Sequence, residues 1–150
     1  MNEWKQINSK ETLEEFLYIV DSFHDAFFHE AVLLNSGYVD EAGSMHGDMN
    51  LPNGRIIYQS QFQDVIGVEL ELKGISVFDL KFGGYFETEG EIIKDEVALY
   101  PGRKTGFGRP HEIRAKEIRY RLLGADSRGP QFRLLGINPS EIVGDDDVYD

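Results

Sequence analysis

Apolar side chains recur at every second position through much of this chain, and that period limits its fold more than any other feature. Ile66, Val68, Leu70 and Leu72 alternate with Gly67, Glu69 and Glu71, the pattern of an antiparallel strand with one buried and one wet face. Ile56, Tyr58, Ser60 and Phe62 alternate in the same way after a Pro52-Asn53-Gly54 turn signal. Lys73-Gly74 then reads as a hairpin turn joining the Val65–Leu72 run to an Ile75–Phe82 run. Tyr85, Glu87, Glu89 and Glu91 fall on one side of the next run, opposite Phe86, Thr88 and Ile92. Glu112–Leu123 reads as a long strand and Phe132–Leu135 as a short one. Inside the long strand the apolar parity changes from Ile113 and Ala115 to Ile118, Tyr120 and Leu122, which calls for a bulge near Lys116 or Glu117.

Only the first segment has the helical period. Leu13, Phe16, Leu17 and Val20 fall on one stripe, predicting a helix over about residues 10–22. Thr12 and Glu15 have capping-box spacing, with Ser9 an alternative cap one turn earlier. Glu11, Glu14 and Glu15 suit the positive end of the helix dipole. One helix followed by about seven or eight strands, with no crossover helices, predicts an α+β domain. The helix packs on a curved antiparallel sheet, open or barrel-like. A chain of 150 residues fits one domain. The expected domain is 1–144, with Tyr100–Arg109 its longest loop; 145–150, holding Asp145, Asp146, Asp147 and Asp150, reads as a mobile acidic tail.

Composition removes several functional classes. With no cysteine there is no disulfide framework, thiolate metal site or cysteine nucleophile. The opening Met1-Asn2-Glu3-Trp4-Lys5 lacks the basic end and apolar run of a signal peptide, and no apolar stretch approaches the ~18 residues of a membrane span. The cytoplasm is the expected location, with no membrane association. The net charge of −12 opposes nucleic-acid binding. That charge is uneven: Arg103 to Arg133 holds nine Lys or Arg against three Asp or Glu, giving +6 and leaving −18 elsewhere. Arg114, Lys116, Arg119 and Arg121 form a basic row that either meets an anionic partner or is neutralised by neighbouring acidic strands. Glu69 and Glu71, with Glu87, Glu89 and Glu91, form two acidic rows expected to face water and meet a partner.

The chemistry-bearing residues do not assemble into a catalytic motif. His24, Asp25, His29 and Glu30, with His46 and Asp48 further on, invite a metal site. On a strand, however, His24 and His29 point to opposite faces, and they miss the His-Glu-x-x-His pattern. No metal or other cofactor is therefore expected, and His24 is read as ending the helix. Ser36 and Ser44 adjoin glycine without a Gly-x-Ser-x-Gly elbow, and Gly102-Arg103-Lys104-Thr105-Gly106 lacks the glycine spacing of a phosphate loop. No catalytic residue is assigned.

Phe23-His24-Asp25, between an amphipathic helix and a strand, resembles the Phe-His-Asp element that opens an antiparallel sheet in a group of small bacterial proteins. Several of these are assigned as immunity proteins of polymorphic toxin systems. The run Ile113-Arg114-Ala115-Lys116-Glu117-Ile118-Arg119-Tyr120-Arg121 is similar to their late strand. The resemblance covers the layout of most of the chain, and its specific motif is three residues long. It implies a non-enzymatic protein-binding module that masks a toxin, with Phe23, His24 and Asp25 as structural hallmarks. In physical terms Phe23 packs under the helix, and Asp25 accepts hydrogen bonds from backbone N–H groups at the corner. The acidic balance suits a basic toxin domain steered electrostatically. Two alternatives remain open. One is a small-ligand binder with an apolar pocket lined by Phe78, Phe82, Tyr85 and Phe86. The other, ranked last, is an enzyme.

Overall fold

A short strand, Lys5–Ile7 (β1), leads into helix α1, Lys10–Ile19. The computed structural model describes residues 3–47, 51–61, 64–80, 87–102 and 111–134. Ser9 caps the helix: its hydroxyl accepts the Thr12 N–H at 3.1 Å, and the Thr12 hydroxyl accepts the Ser9 N–H at 2.9 Å. The reciprocal box is therefore Ser9–Thr12 and not Thr12–Glu15. The backbone is extended at Ser9 and helical from Lys10, so Thr12 already lies inside the first turn. Leu13, Phe16 and Val20 are buried as the stripe predicts, with Leu17 packed at their edge. The helix stops at Ile19 and gives way to a 3-10 turn, Asp21–Phe23.

Eight further strands follow: β2 (Ala26–Leu34), β3 (Tyr38–Val39), β4 (Met45–His46), β5 (Asn53–Ser60), β6 (Gly67–Asp79), β7 (Thr88–Ile93), β8 (Glu96–Pro101) and β9 (Glu112–Leu123). Seven strands make one antiparallel sheet in the order β2-β5-β6-β9-β8-β7, with β1 also pairing β9, while β3 and β4 form a separate hairpin. The order runs from one edge strand to another, so the sheet is open among the described residues. On one flank β9 pairs β6 along its length; on the other it meets β8 at Ile113–Ala115 and β1 at Ile118–Tyr120. Its inner face, with Ile56, Tyr58, Val68, Leu70, Leu72, Val97, Leu99, Ile113, Ile118 and Tyr120, is buried against Phe16 and Phe23 of the helical segment.

Four expectations of local structure change. Lys73-Gly74 is not a hairpin turn: β6 runs straight through it and stays paired with β9, Lys73 opposite Glu117 and Ile75 opposite Ala115. The inward residues step from Leu72 to Ile75 on β6 and from Ile118 to Ala115 on β9, so the two strands change face together. Gly74, at φ 69°, makes that twist accessible, and a Cβ there would press on the Lys116 side chain. The extra residue is accordingly not near Lys116 or Glu117; the register shift lies on β6, between Ile75 and Val77. Asn53-Gly54 does not turn either. It begins β5, pairing with Leu34 and Leu33 on one side, and Gly54 with Leu72 on the other. Residues 132–134 are not a strand; Leu135 lies outside the described residues, as do residues 145–150 and most of the Tyr100–Arg109 loop.

The segment after β9 crosses the outer face of the sheet. Ser127 in the 3-10 turn Ala125–Ser127 is fully buried against Gly67, and Gln59 Nε2 donates to the carbonyls of Ser127 and Gly129, both at 2.8 Å. Arg128 Nε donates to the Ser60 carbonyl at 3.1 Å. The β2–β5 register shifts between Phe28 and Glu30, and the intervening His29 places Nε2 2.8 Å from the Phe132 carbonyl. Glu30 accepts the Leu134 N–H at 2.7 Å. No helix among the described residues is long and apolar enough to cross a membrane.

Candidate functional site

The acidic row expected to face water is instead clamped by arginines. Register places Ile57, Glu69 and Arg121 side by side across β5, β6 and β9, and likewise Arg55, Glu71 and Arg119. Arg121 Nε donates to Glu69 at 2.7 Å, and Arg119 grips Glu71 through Nε and an Nη at 2.8 and 3.0 Å. Arg55 spans both carboxylates more loosely, at 3.3 and 3.4 Å, and Lys73 reaches Glu71 at 4.0 Å. Glu69 is only 1% exposed. The Arg119 hydrogen bond, outweighing partial burial, holds the Glu71 carboxyl below its ordinary range. Trp4 lies under both guanidinium groups, 4.4 Å from Arg119 and 4.6 Å from Arg121. Arg114 pairs with Glu112 on its own strand at 2.6 Å, so the basic row is largely neutralised within the sheet.

The second acidic row is also divided. Glu91 accepts the Tyr100 hydroxyl proton at 2.7 Å. Burial first, then that bond, pushes the Tyr100 phenol up to about 12. Glu89 is exposed, whereas Glu87 is half-buried just before β7 and its carbonyl accepts the Gly102 N–H at 3.1 Å.

At the Phe23-His24-Asp25 corner, Phe23 is buried as expected, stacking on Tyr58 at 3.9 Å and meeting Phe16 edge-on at 5.6 Å. Among the described residues, no backbone N–H donates to the Asp25 carboxylate. That carboxylate lies 3.4 Å from His24 Nε2, and the hydrogen bond that ties Asp25 to the sheet is made by its carbonyl, which accepts the Gln61 N–H at 3.1 Å. The helix end satisfies itself: the Val20, Phe23 and His24 N–H groups donate to the Phe16, Val20 and Asp21 carbonyls. The tight path requires φ of 49° to 60° at Asp21, Ser22, Phe23 and Asp25, a left-handed run that non-glycine residues rarely sustain.

The remaining histidines go to separate partners: His29 to Phe132, His46 to Asp40 and His111 to Asp79. Asp48 lies outside the described residues, among which no group of three His, Asp or Glu is placed to hold a metal ion. Phe78 packs on the core edge; Phe82, Tyr85, Phe86 and the Arg103–Gly106 stretch lie outside the described residues.

Two outer features went unread in the sequence. The first is the β3–β4 hairpin. Asp40 organises its turn, accepting the Ala42 and Ser44 N–H groups at 3.0 and 2.9 Å with Oδ1 while Oδ2 lies 2.8 Å from His46 Nε2. The His46 bond, more than any other contact, holds the Asp40 carboxyl below its usual range. Tyr38 stacks on His46 at 4.8 Å, and Val39 pairs across from Met45 with the two side chains 61% and 86% exposed. Asp40-Glu41-Ala42-Gly43 was the available turn signal, though strands of two residues are too short to show a period. The second is a groove of about 530 Å³ on the outer face, whose lining includes the apolar Val32, Leu34 and Leu134 and the charged Arg55, Glu71, Lys73 and Arg119.

Comparison with protein-family models, curated proteins and solved structures finds no match to this chain.

Proposed function

We propose that this chain is a non-enzymatic protein-binding module whose partner docks on the β3–β4 hairpin and the C-terminal end of β2, an edge strand among the described residues. The observation that carries this reading is the Val39–Met45 pair. Two large apolar side chains stand in water on a hairpin that Asp40 ties into one shape. Leu33, Leu34 and Leu51, also exposed, extend the apolar surface along the same stretch of chain. Exposed apolar side chains beside a strand that is the edge of the sheet among the described residues mark an interaction site, because both are otherwise liabilities. A rigid hairpin loses little conformational entropy on docking.

The partner this reading favours is a basic toxin domain, making the chain an immunity protein that masks it. The Phe-His-Asp resemblance and the net charge of −12 support that choice, the charge acting at long range to steer a cationic partner. Glu89, exposed on edge strand β7, with Glu87 and Glu91 beside it, adds to the steering field. The test is co-expression with a basic toxin domain, sought among the genes neighbouring this one, followed by purification of the complex and a growth assay. Val39→Asp with Met45→Asp should abolish both the complex and protection while leaving the thermal unfolding midpoint unchanged. A complex that survives both substitutions at full affinity removes the hairpin as the docking site. A chain that neither binds nor protects against that domain removes the immunity assignment.

A further inference from the structure

The outer face of the sheet carries more cationic groups than its buried glutamates need. Arg121 satisfies Glu69 at 2.7 Å and Arg119 satisfies Glu71 at 2.8 and 3.0 Å, yet Arg55 and Lys73 stand in the same network. The contacts of Arg55 are long, 3.3 and 3.4 Å, and its side chain is 48% exposed; Lys73 is 4.0 Å from Glu71 and 57% exposed. Both therefore keep donors for another acceptor. Of the other carboxylates on this part of the face, Glu30 is taken by the Leu134 N–H, and Glu117, the register partner of Lys73, stands exposed at its rim. Val32, the register partner of Arg55, lines the same groove together with Leu34 and Leu134 as its apolar wall, with Leu34 72% exposed.

We propose that this groove binds a small organic carboxylate with an apolar body, its head held by Arg55 and Lys73 and its hydrocarbon by Val32, Leu34 and Leu134. A guanidinium fork matches carboxylate geometry, and the lysine adds a point charge beside it. An inorganic anion would leave the apolar wall wet, and a neutral apolar molecule would leave the two cationic groups unanswered. The volume of about 530 Å³ lies within the range of small-ligand pockets. The site goes beyond protein docking on the hairpin: it shares Leu34 with that surface, but neither Val39 nor Met45 borders the groove, so the hairpin variants leave it intact.

Octanoate, titrated into the full chain by calorimetry and followed by amide chemical shifts, tests the assignment. Saturable one-to-one binding is expected, with shifts concentrated at Val32, Arg55 and Lys73. Because Arg55 also touches buried Glu69, the decisive variants are Lys73→Gln and Leu134→Ser, read beside their unfolding midpoints. Each should weaken octanoate about tenfold, the loss expected for one charged hydrogen bond or one apolar contact surface. Acetate and 1-octanol, each missing half of the ligand, should bind far more weakly. The proposal is overturned if octanoate does not saturate, if Lys73→Gln binds it unchanged, or if 1-octanol binds equally well. Binding of an acidic peptide in place of octanoate would equally overturn it.

Discussion

Arg121 Nε and Glu69 Oε1 meet at 2.7 Å between register partners of β9 and β6, and the carboxylate they bury is 1% exposed. A carboxylate so far from water needs a guanidinium in place of its hydration. Arg121→Ala should therefore cost about 3 kcal/mol, with Arg55 at 3.3 Å a partial substitute. The double change Glu69→Met, Arg121→Met should cost much less, because no charge is left stranded. Urea unfolding of the three proteins measures both. If the double variant is as unstable as the single, the pair stabilises by packing and not by charge.

The neighbouring pair sets an acid limit. Arg119 lowers the Glu71 carboxyl in the folded chain, so its contribution to stability is complete above the unfolded carboxylate value of about 4.3. It is lost as pH falls through the lower folded value. Unfolding free energy should thus decline from about pH 5 downward, and Glu71→Gln should flatten that decline while lowering stability at neutral pH. A Glu71→Gln profile parallel to the parent would assign the acid sensitivity to other carboxylates.

Gly67 is a contact requirement, not a turn. A Cβ at this position would collide with Ser127 Oγ, whose hydroxyl donates to the Gly124 carbonyl at 2.7 Å. Gly67→Ala should destabilise by about 1–3 kcal/mol through overpacking. Adding Ser127→Gly should recover part of that loss, and thermal unfolding of the single and double variants shows whether it does.

The helix start gives a discriminating pair of substitutions. Ser9→Ala removes the cap acceptor for the Thr12 N–H and should cost about 1 kcal/mol. Glu15→Ala should change stability by less than about 0.5 kcal/mol, since Glu15 takes no part in the box and its Lys5 contact is an exposed pair at 3.9 Å. Equal losses would place the cap at Thr12 after all.

What could be read from the residues depended on whether the deciding neighbour was near in sequence. Glu112–Leu123 and the Leu13–Phe16–Val20 stripe declare themselves because burial periodicity is local. Lys73-Gly74 misleads because a glycine with positive φ serves a tight turn and a twisted strand alike; Lys116 and the pairs around it, some forty positions away, decide between them. Glu69 misleads for a parallel reason. An acidic residue between apolar ones reads as wet, and only Arg121, fifty-two positions on, makes burial tolerable. Asp25 at a helix end suggests a carboxylate cap, whereas the left-handed backbone lets the main chain close the corner by itself.

The place of β9 in the sheet has a consequence for synthesis. It is the last strand of the described chain, yet β1, β6 and β8 all pair with it. At ordinary ribosomal speeds the 32 residues between the end of β6 at Asp79 and the start of β9 at Glu112 take roughly 2–6 s to make, and for that interval the apolar faces of β5 and β6 have no seam to close on. The nascent chain therefore depends on holdase protection or on the charge of its acidic first two-thirds to stay dispersed. Completion of the fold waits on a single late segment, whose arginines then close over two glutamates that until that point have only the looser contacts of Arg55 and Lys73.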